Sequence, residues 1–192
     1  MATLAEIRGR VRLRLEEGSA AVWTNEELDE AILAGLELYN GRFPMEATQS
    51  AAVNGTNVAM PAQARAVLRV TLADGTVVPR RAAPVARTAD ERLAWEPFAG
   101  VIWFTRPLPA QTVTLWYQKD HAVTDVPEGD VGLLVLAGVW KALEQRAVQQ
   151  LKRHGAVHAT LADLTVRRAR EEFERAFDTR ARRVGVTLLT HD

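Results

Sequence analysis

Apolar residues recur at helical spacing from the start of the chain, with Leu4, Ile7, Val11 and Leu15 three or four positions apart. Thr3, with Glu6 three residues on, forms a capping box ahead of this run, and Gly18 supplies its stop. The signature returns at Thr24 and Glu27, where Trp23 before the cap and Leu28 inside the helix make a hydrophobic staple. Leu28, Ile32, Gly35, Leu36 and Tyr39 then share one stripe until Pro44 ends it. Two helices packed as an antiparallel pair are predicted.

From about Ala47 the period shortens to two. Asn54-Gly55 and Asp74-Gly75 each stand between β-prone residues and read as tight hairpin turns, giving candidate strands over 49–53, 56–60, 66–72 and 76–79. Residues 84–95, with Thr88, Asp90, Glu91 and Arg92, read as a short helix or an ordered loop. Strand signals resume at 101–104 and 112–117, separated by Pro107-Leu108-Pro109-Ala110, which has the composition of a turn. Pro127 and Glu128 then open a helix that is apolar on nearly every side over 131–143 and runs to about Arg153, with Gly155 as its stop. A last helix over 161–184 keeps Val166, Ala169, Phe173, Ala176 and Phe177 on one stripe.

The predicted fold class is therefore α+β: a four-helix bundle-like core with a small antiparallel β insertion between helices two and three. The expected divisions are an N-terminal helical hairpin (1–46), the β insertion (47–126), a C-terminal helical pair (127–184) and a tail (185–192).

Composition narrows the function. A chain of 192 residues can bury about 70% of its unfolded surface without covalent staples. With no cysteine, disulfides, thiolate metal sites and cysteine nucleophiles fall away, which suits a reducing compartment. The 24 basic and 24 acidic residues cancel, so there is no global positive field to bind nucleic acid or anionic lipid. The apolar run over 131–140 is about half the length of a bilayer span, and no secretory signal opens the chain, so no membrane partner is expected.

Candidate chemistry is sparse. No Gly-rich loop precedes a Lys-Ser or Lys-Thr pair, and no cofactor is expected. His154 and His158 could share a helix face, but Gly155 lies between them and no third ligand follows at a defined spacing. Asp120, His121 and Asp125 could be drawn as an acid-base cluster, yet they fall where a strand must turn toward Pro127, so turn and capping roles account for them. No catalytic residues and no metal site are assigned, and the chain is read as a non-enzyme. Trp95, Phe98, Trp103, Phe104, Trp116 and Tyr117 cluster in the β region with few Lys or Arg between them, which favours core or interface packing over base stacking.

The order of these features resembles that of head-to-tail adaptor (connector) proteins of tailed bacteriophages and gene transfer agents. The resemblance is carried by Leu4-Ala5-Glu6-Ile7-Arg8-Gly9-Arg10-Val11, by Trp23-Thr24-Asn25-Glu26-Glu27-Leu28 with Ala31-Ile32, and by Val58-Ala59-Met60-Pro61 leading to Val67-Leu68-Arg69-Val70. It continues through Asp74-Gly75, Gly100-Val101-Ile102-Trp103-Phe104 with Pro107, Val113-Thr114-Leu115-Trp116-Tyr117, and Pro127-Glu128. Beyond about residue 150 the likeness reduces to a charged helix.

The resemblance implies a virion neck protein, made in the bacterial host cytoplasm. It would form a ring, usually of twelve copies, below the portal protein and present a surface to a tail or stopper protein. DNA would pass through the lumen without being read. A ring needs two dissimilar patches on each copy, and Trp103, Trp116, Val131, Leu134, Val135 and Trp140 are the expected subunit interface. Arg167, Arg168, Arg170, Arg175, Arg180, Arg182 and Arg183, with the apolar tail residues Val186, Leu188 and Leu189, are the expected portal-docking residues, because a basic amphipathic helix with an apolar end suits ordering on a partner. A tail-completion or stopper protein and a DNA-binding regulator using the last helix are the alternative readings.

Overall fold

Both capping boxes form in the computed structural model, which describes residues 1–16, 22–81, 92–154 and 159–184. Thr3 Oγ1 accepts from the Glu6 amide while Glu6 Oε2 accepts from the Thr3 amide, and Thr24 and Glu27 repeat the exchange. These reciprocal bonds satisfy donors that a helix start leaves without partners. The bond from the Thr24 amide holds the Glu27 carboxyl below the usual carboxylate range. Helix α1 spans Leu4–Arg14 and α2 spans Asn25–Arg42. The predicted stop at Gly18 lies outside the described residues; α1 has already ended, with Glu16 in the left-handed region at φ 55°.

The chain divides into two compact units, one of Met1–Phe43 with His121–Asp192 and one of Pro44–Asp120. In the helical unit, α3 (Val131–His154) is the hub. It packs against α2, α4 (Ala159–Val184) and α1. Its core joins Ile7 and Val11 of α1, Leu28, Ile32 and Tyr39 of α2, Val131, Leu134 and Ala137 of α3, and Phe173 and Phe177 of α4. Two short 3₁₀ turns, Val123–Asp125 and Glu128–Asp130, lead into α3. No helix among the described residues is long and apolar enough to cross a membrane.

The second unit is a five-stranded antiparallel sheet. Strands β1 (Met45–Ala59) and β5 (Val101–Lys119) pair along almost their whole lengths, from Met45 opposite Lys119 to Ala59 opposite Val101. On its other side β5 pairs with β4 (Trp95–Phe98) and then β2 (Ala66–Thr71), and β2 pairs with β3 (Val77–Val78). Beyond β3, the Trp95 amide donates to Pro79 O and the Arg81 amide to Trp95 O, so the path β5, β2, β3, β4 returns to β5 and the sheet curls on itself. Inside the curl lie Val53, Val70, Val78, Trp95, Ile102, Phe104, Val113 and Leu115.

This overturns the predicted four-helix bundle-like core with a small β insertion. The α+β class and the order helix, helix, strands, helix, helix stand, but the sheet unit carries its own core and the helices do not close a bundle: α4 leans chiefly on α3. Two turns read from local composition caused the error. Asn54-Gly55 does not reverse the chain; Gly55, at φ 111°, sits inside β1 where the register shifts. Pro107 and Pro109 lie inside β5 opposite that shift, where the missing proline N–H groups are tolerated as at a bulge.

Asp74-Gly75 does form the predicted turn. The Gly75 amide donates to Leu72 O, the Leu72 amide to Thr76 O, and Asp74 Oδ1 accepts from the Thr76 amide. Residues 82–91, which cover most of the predicted short helix or loop, lie outside the described residues. Strand β4 was not foreseen: Ala99 (φ 50°) and Gly100 (φ 77°) turn it into β5 with two left-handed residues, the backbone of a two-residue hairpin.

Candidate interaction surfaces

Successive side chains on β5 alternate faces. Ile102, Phe104, Val113, Leu115 and Tyr117 enter the sheet core, which leaves Trp103 and Trp116 half-buried on the opposite face. Trp116 lies across from Thr48 on β1 and Arg69 on β2, with the Arg69 guanidinium 4.0 Å from the centre of its ring. Of the expected interface residues, these two keep an outward aspect. Val131, Leu134, Val135 and Trp140 are buried among the helices of the same chain, so their apolar surface is already covered without a neighbour.

The arginines of α4 are largely paired. Arg167 meets Asp163 (2.8 Å), Arg170 meets Glu174 (2.7 Å) and Arg175 meets Glu171 (3.0 Å), each one helical turn away. Glu172 and Asp178 on the same helix take Arg14 of α1 (2.7 Å) and Arg42 of α2 (3.3 Å). Such exposed pairs are screened by water and add little to stability. Arg168, Arg182 and Arg183 are exposed and have no carboxylate partner among the described residues. Val186, Leu188 and Leu189 lie outside the described residues.

Arg180 is different, because it reaches a buried acid. Asp130, only 3% exposed, sits immediately before α3, where a negative charge also complements the helix dipole. Arg180 Nε lies 2.6 Å from Asp130 Oδ1, and Tyr39 Oη donates to Asp130 Oδ2 at 2.7 Å. One carboxylate thus ties α2, the start of α3 and the end of α4. Burial, and then this hydrogen bond, push the Tyr39 phenol well above its ordinary range. Sequence reasoning placed Tyr39 on an apolar stripe, put Arg180 among docking residues and passed over Asp130. The available signal was an acid directly before the apolar first turns of a helix, together with a tyrosine on an apolar stripe that needs a partner.

The drawn acid-base cluster does not converge. Asp120 pairs with Arg65 of the sheet unit at 2.8 Å. His121 exchanges two bonds with Asn40, its amide donating to Oδ1 and Asn40 Nδ2 donating to His121 O, while its Nε2 lies 2.9 Å from Phe43 O. Asp125 Oδ2 accepts from the Ala122 amide at the first 3₁₀ turn. Asp125 takes the capping role the sequence suggested, whereas Asp120 and His121 tie neighbouring segments together. Among the described residues no three or more His, Asp or Glu are grouped to hold a metal, and His158 lies outside them.

Grooves among the described residues of the helical unit include two between packed helices. One, of about 480 Å³, is lined by Glu27, Glu30, Glu144, Gln145, Val148 and Gln149. The other, of about 310 Å³, runs between α2 and α4 over an aromatic floor of Trp140, Phe173 and Phe177, whose ring centres are 5.0–5.5 Å apart in sequence.

No protein-family model matches the chain, and no curated protein matches it. Among solved structures, a chain of the "Virion of native gene transfer agent (GTA) particle" is similar at 17% identity, over 87% of this chain and 88% of that one, with a TM-score of 0.28. A likeness of that size assigns neither fold nor role.

Proposed function

We propose that this chain is a virion structural protein of the phage neck type: an adaptor that forms a ring of like copies against a portal, offers a surface to a tail or stopper protein, and leaves passing DNA unread. The observation that carries this reading is where apolar side chains stay uncovered. Phe98 is 70% exposed on the sheet unit, while Val148, Leu151 and Leu164 are 46–55% exposed on α3 and α4 of the helical unit. Ring contacts join different faces of neighbouring copies, and dissimilar apolar sites on two separate units meet that requirement. The order of caps, strands and helices in the sequence supports the neck assignment, and zero net charge suits a lumen that must not hold a moving polyanion.

A DNA-binding regulator is the weaker reading, because carboxylates already engage Arg167, Arg170, Arg175 and Arg180. Portal docking through the end of α4 and the residues beyond it is tested by truncation after Arg183. The truncated chain should keep its helical circular dichroism and bind portal rings about tenfold more weakly, a loss of about 1.4 kcal/mol. Unchanged affinity would remove the docking role.

A further inference from the structure

Charge is unevenly spread over the helical unit, although the chain as a whole is neutral. Helix α2 carries Glu26, Glu27, Asp29, Glu30 and Glu37 against the single base Arg42, whereas α1 carries four arginines and one glutamate. Packing neutralises part of this, since Asp29 takes Arg8 at 2.7 Å and Glu27 closes its own capping box. Glu26, Glu30 and Glu37 are exposed and meet no cation among the described residues. With Leu33 they follow the three- and four-residue spacing that lays side chains along one face of a helix. Like charges one turn apart cost a helix stability, and Leu33 among them is left 45% exposed. Helix α2 thus presents an outward face, acidic around one apolar residue, that the rest of the described chain does not cover.

The outer side of α4 bears the opposite sign in a matching arrangement. Leu164 is 55% exposed, and Arg168, one turn on, is exposed with no carboxylate partner among the described residues. The charges around it cancel: Arg167 pairs with Asp163, Arg170 with Glu174 and Arg175 with Glu171. Arg168 is the charge left over on this stretch. A leucine with a cation four residues on therefore stands against a leucine with an anion three residues before it and another four residues after. When the two leucines cover each other, Arg168 reaches Glu37 if the helices run parallel and Glu30 if they run antiparallel. Charge pairs of this kind select the partner and fix its register more than they add affinity.

We infer that the α4 face of one copy, Leu164 with Arg168, docks on the α2 face of the next, Leu33 with Glu30 and Glu37, as the heterologous contact from which a ring is built. The occupant is a second copy of this chain because both halves stand exposed on one chain, opposite in charge and alike in their apolar residue, and neither satisfies the other within it. A contact between two different faces repeats from copy to copy and closes when the rotation allows. It does not use Arg182 and Arg183, which stay with the portal docking proposed above. The inference rests on the ring reading and names its contact.

Charge reversal in the full-length chain tests the contact, with assembled copies counted by electron microscopy, alone and on portal rings. Glu30→Arg/Glu37→Arg and, in a separate chain, Arg168→Glu should each lower the assembled fraction roughly tenfold, because like charges then meet at every contact. Mixed in equal amounts, the two reversed chains should recover assembly to within about twofold of the parent, since every contact between unlike copies again joins opposite charges. Mixing does not repair a chain that fails to fold, so the recovery separates a lost contact from a lost fold. Parent-level assembly by either reversed chain alone, or a mixture that assembles no better than its components, overturns this contact while leaving the ring reading intact. Absence of any assembly by the parent chain, alone or on the portal, defeats both.

Discussion

Replacing Asp130 with alanine is expected to lower stability by about 3 kcal/mol, the low end of the cost of breaking a buried charge pair. The low end applies because Arg180, whose side chain is 38% exposed, can turn toward water, whereas Tyr39, 2% exposed, leaves a buried hydroxyl without its acceptor. For a chain of this length the loss corresponds to a fall in Tm of roughly 10 °C. The mechanism makes a sharper statement through a double mutant. Once Tyr39→Phe has removed the stranded hydroxyl, Asp130→Ala should cost about 1 kcal/mol less than in the parent chain. Additivity of the two changes within about 0.5 kcal/mol, measured by urea unfolding, would show that the carboxylate does not act as the clamp between α2, α3 and α4.

Two glycines of the helical unit should respond to substitution in opposite directions. A methyl group added at Gly35 would lie 2.6 Å from Ala137 Cβ, and neither carbon can swing aside, so α2 and α3 must separate. At the same crossing a methyl at Gly138 would meet Val11 and Ile32 at 3.1 Å. Gly35→Leu is expected to cost about 3 kcal/mol or more through overpacking, and Gly35→Ala about 1 after its gain in helix propensity. In contrast, nothing lies within 4 Å of a methyl added at Gly9 of α1, so Gly9→Ala should stabilise by about 0.5–1 kcal/mol. Thermal unfolding of the three variants checks the pattern; a neutral Gly35→Leu would mean that the helices do not cross at this glycine.

What the sequence disclosed follows the range of the interaction that specifies it. Thr3 with Glu6 and Thr24 with Glu27 act across one turn, and Asp74-Gly75 acts across four residues, so each could be read locally and each formed. Asn54-Gly55 carries the same local signature as Asp74-Gly75 but is overruled by pairing between β1 and β5, whose partners are up to 74 positions apart at Met45 and Lys119. Turn chemistry then serves a kink within a strand rather than a reversal. Strand β4 was missed because it is short, contains Pro97 and has meaning only against β5.

The candidate surfaces divide in the same way. The arginines of α4 were visible as a helical pattern, and three of them pair with acids one turn away. That Arg180 leaves this pattern for Asp130, fifty positions earlier, was not visible, because only the packing of α4 on α3 brings them together. The all-round apolar stretch of α3 finds cover within its own chain, while exposed apolar positions among the described residues include Phe98 and Leu164, whose neighbours in sequence gave no sign of it.

Electron microscopy of the full-length protein, alone at high concentration and mixed with portal rings, tests most directly whether copies of this chain join through unlike faces. Closed rings with an open centre, seated on the portal, are the predicted result. Two-fold symmetric dimers, or single copies beside bare portals, would contradict it.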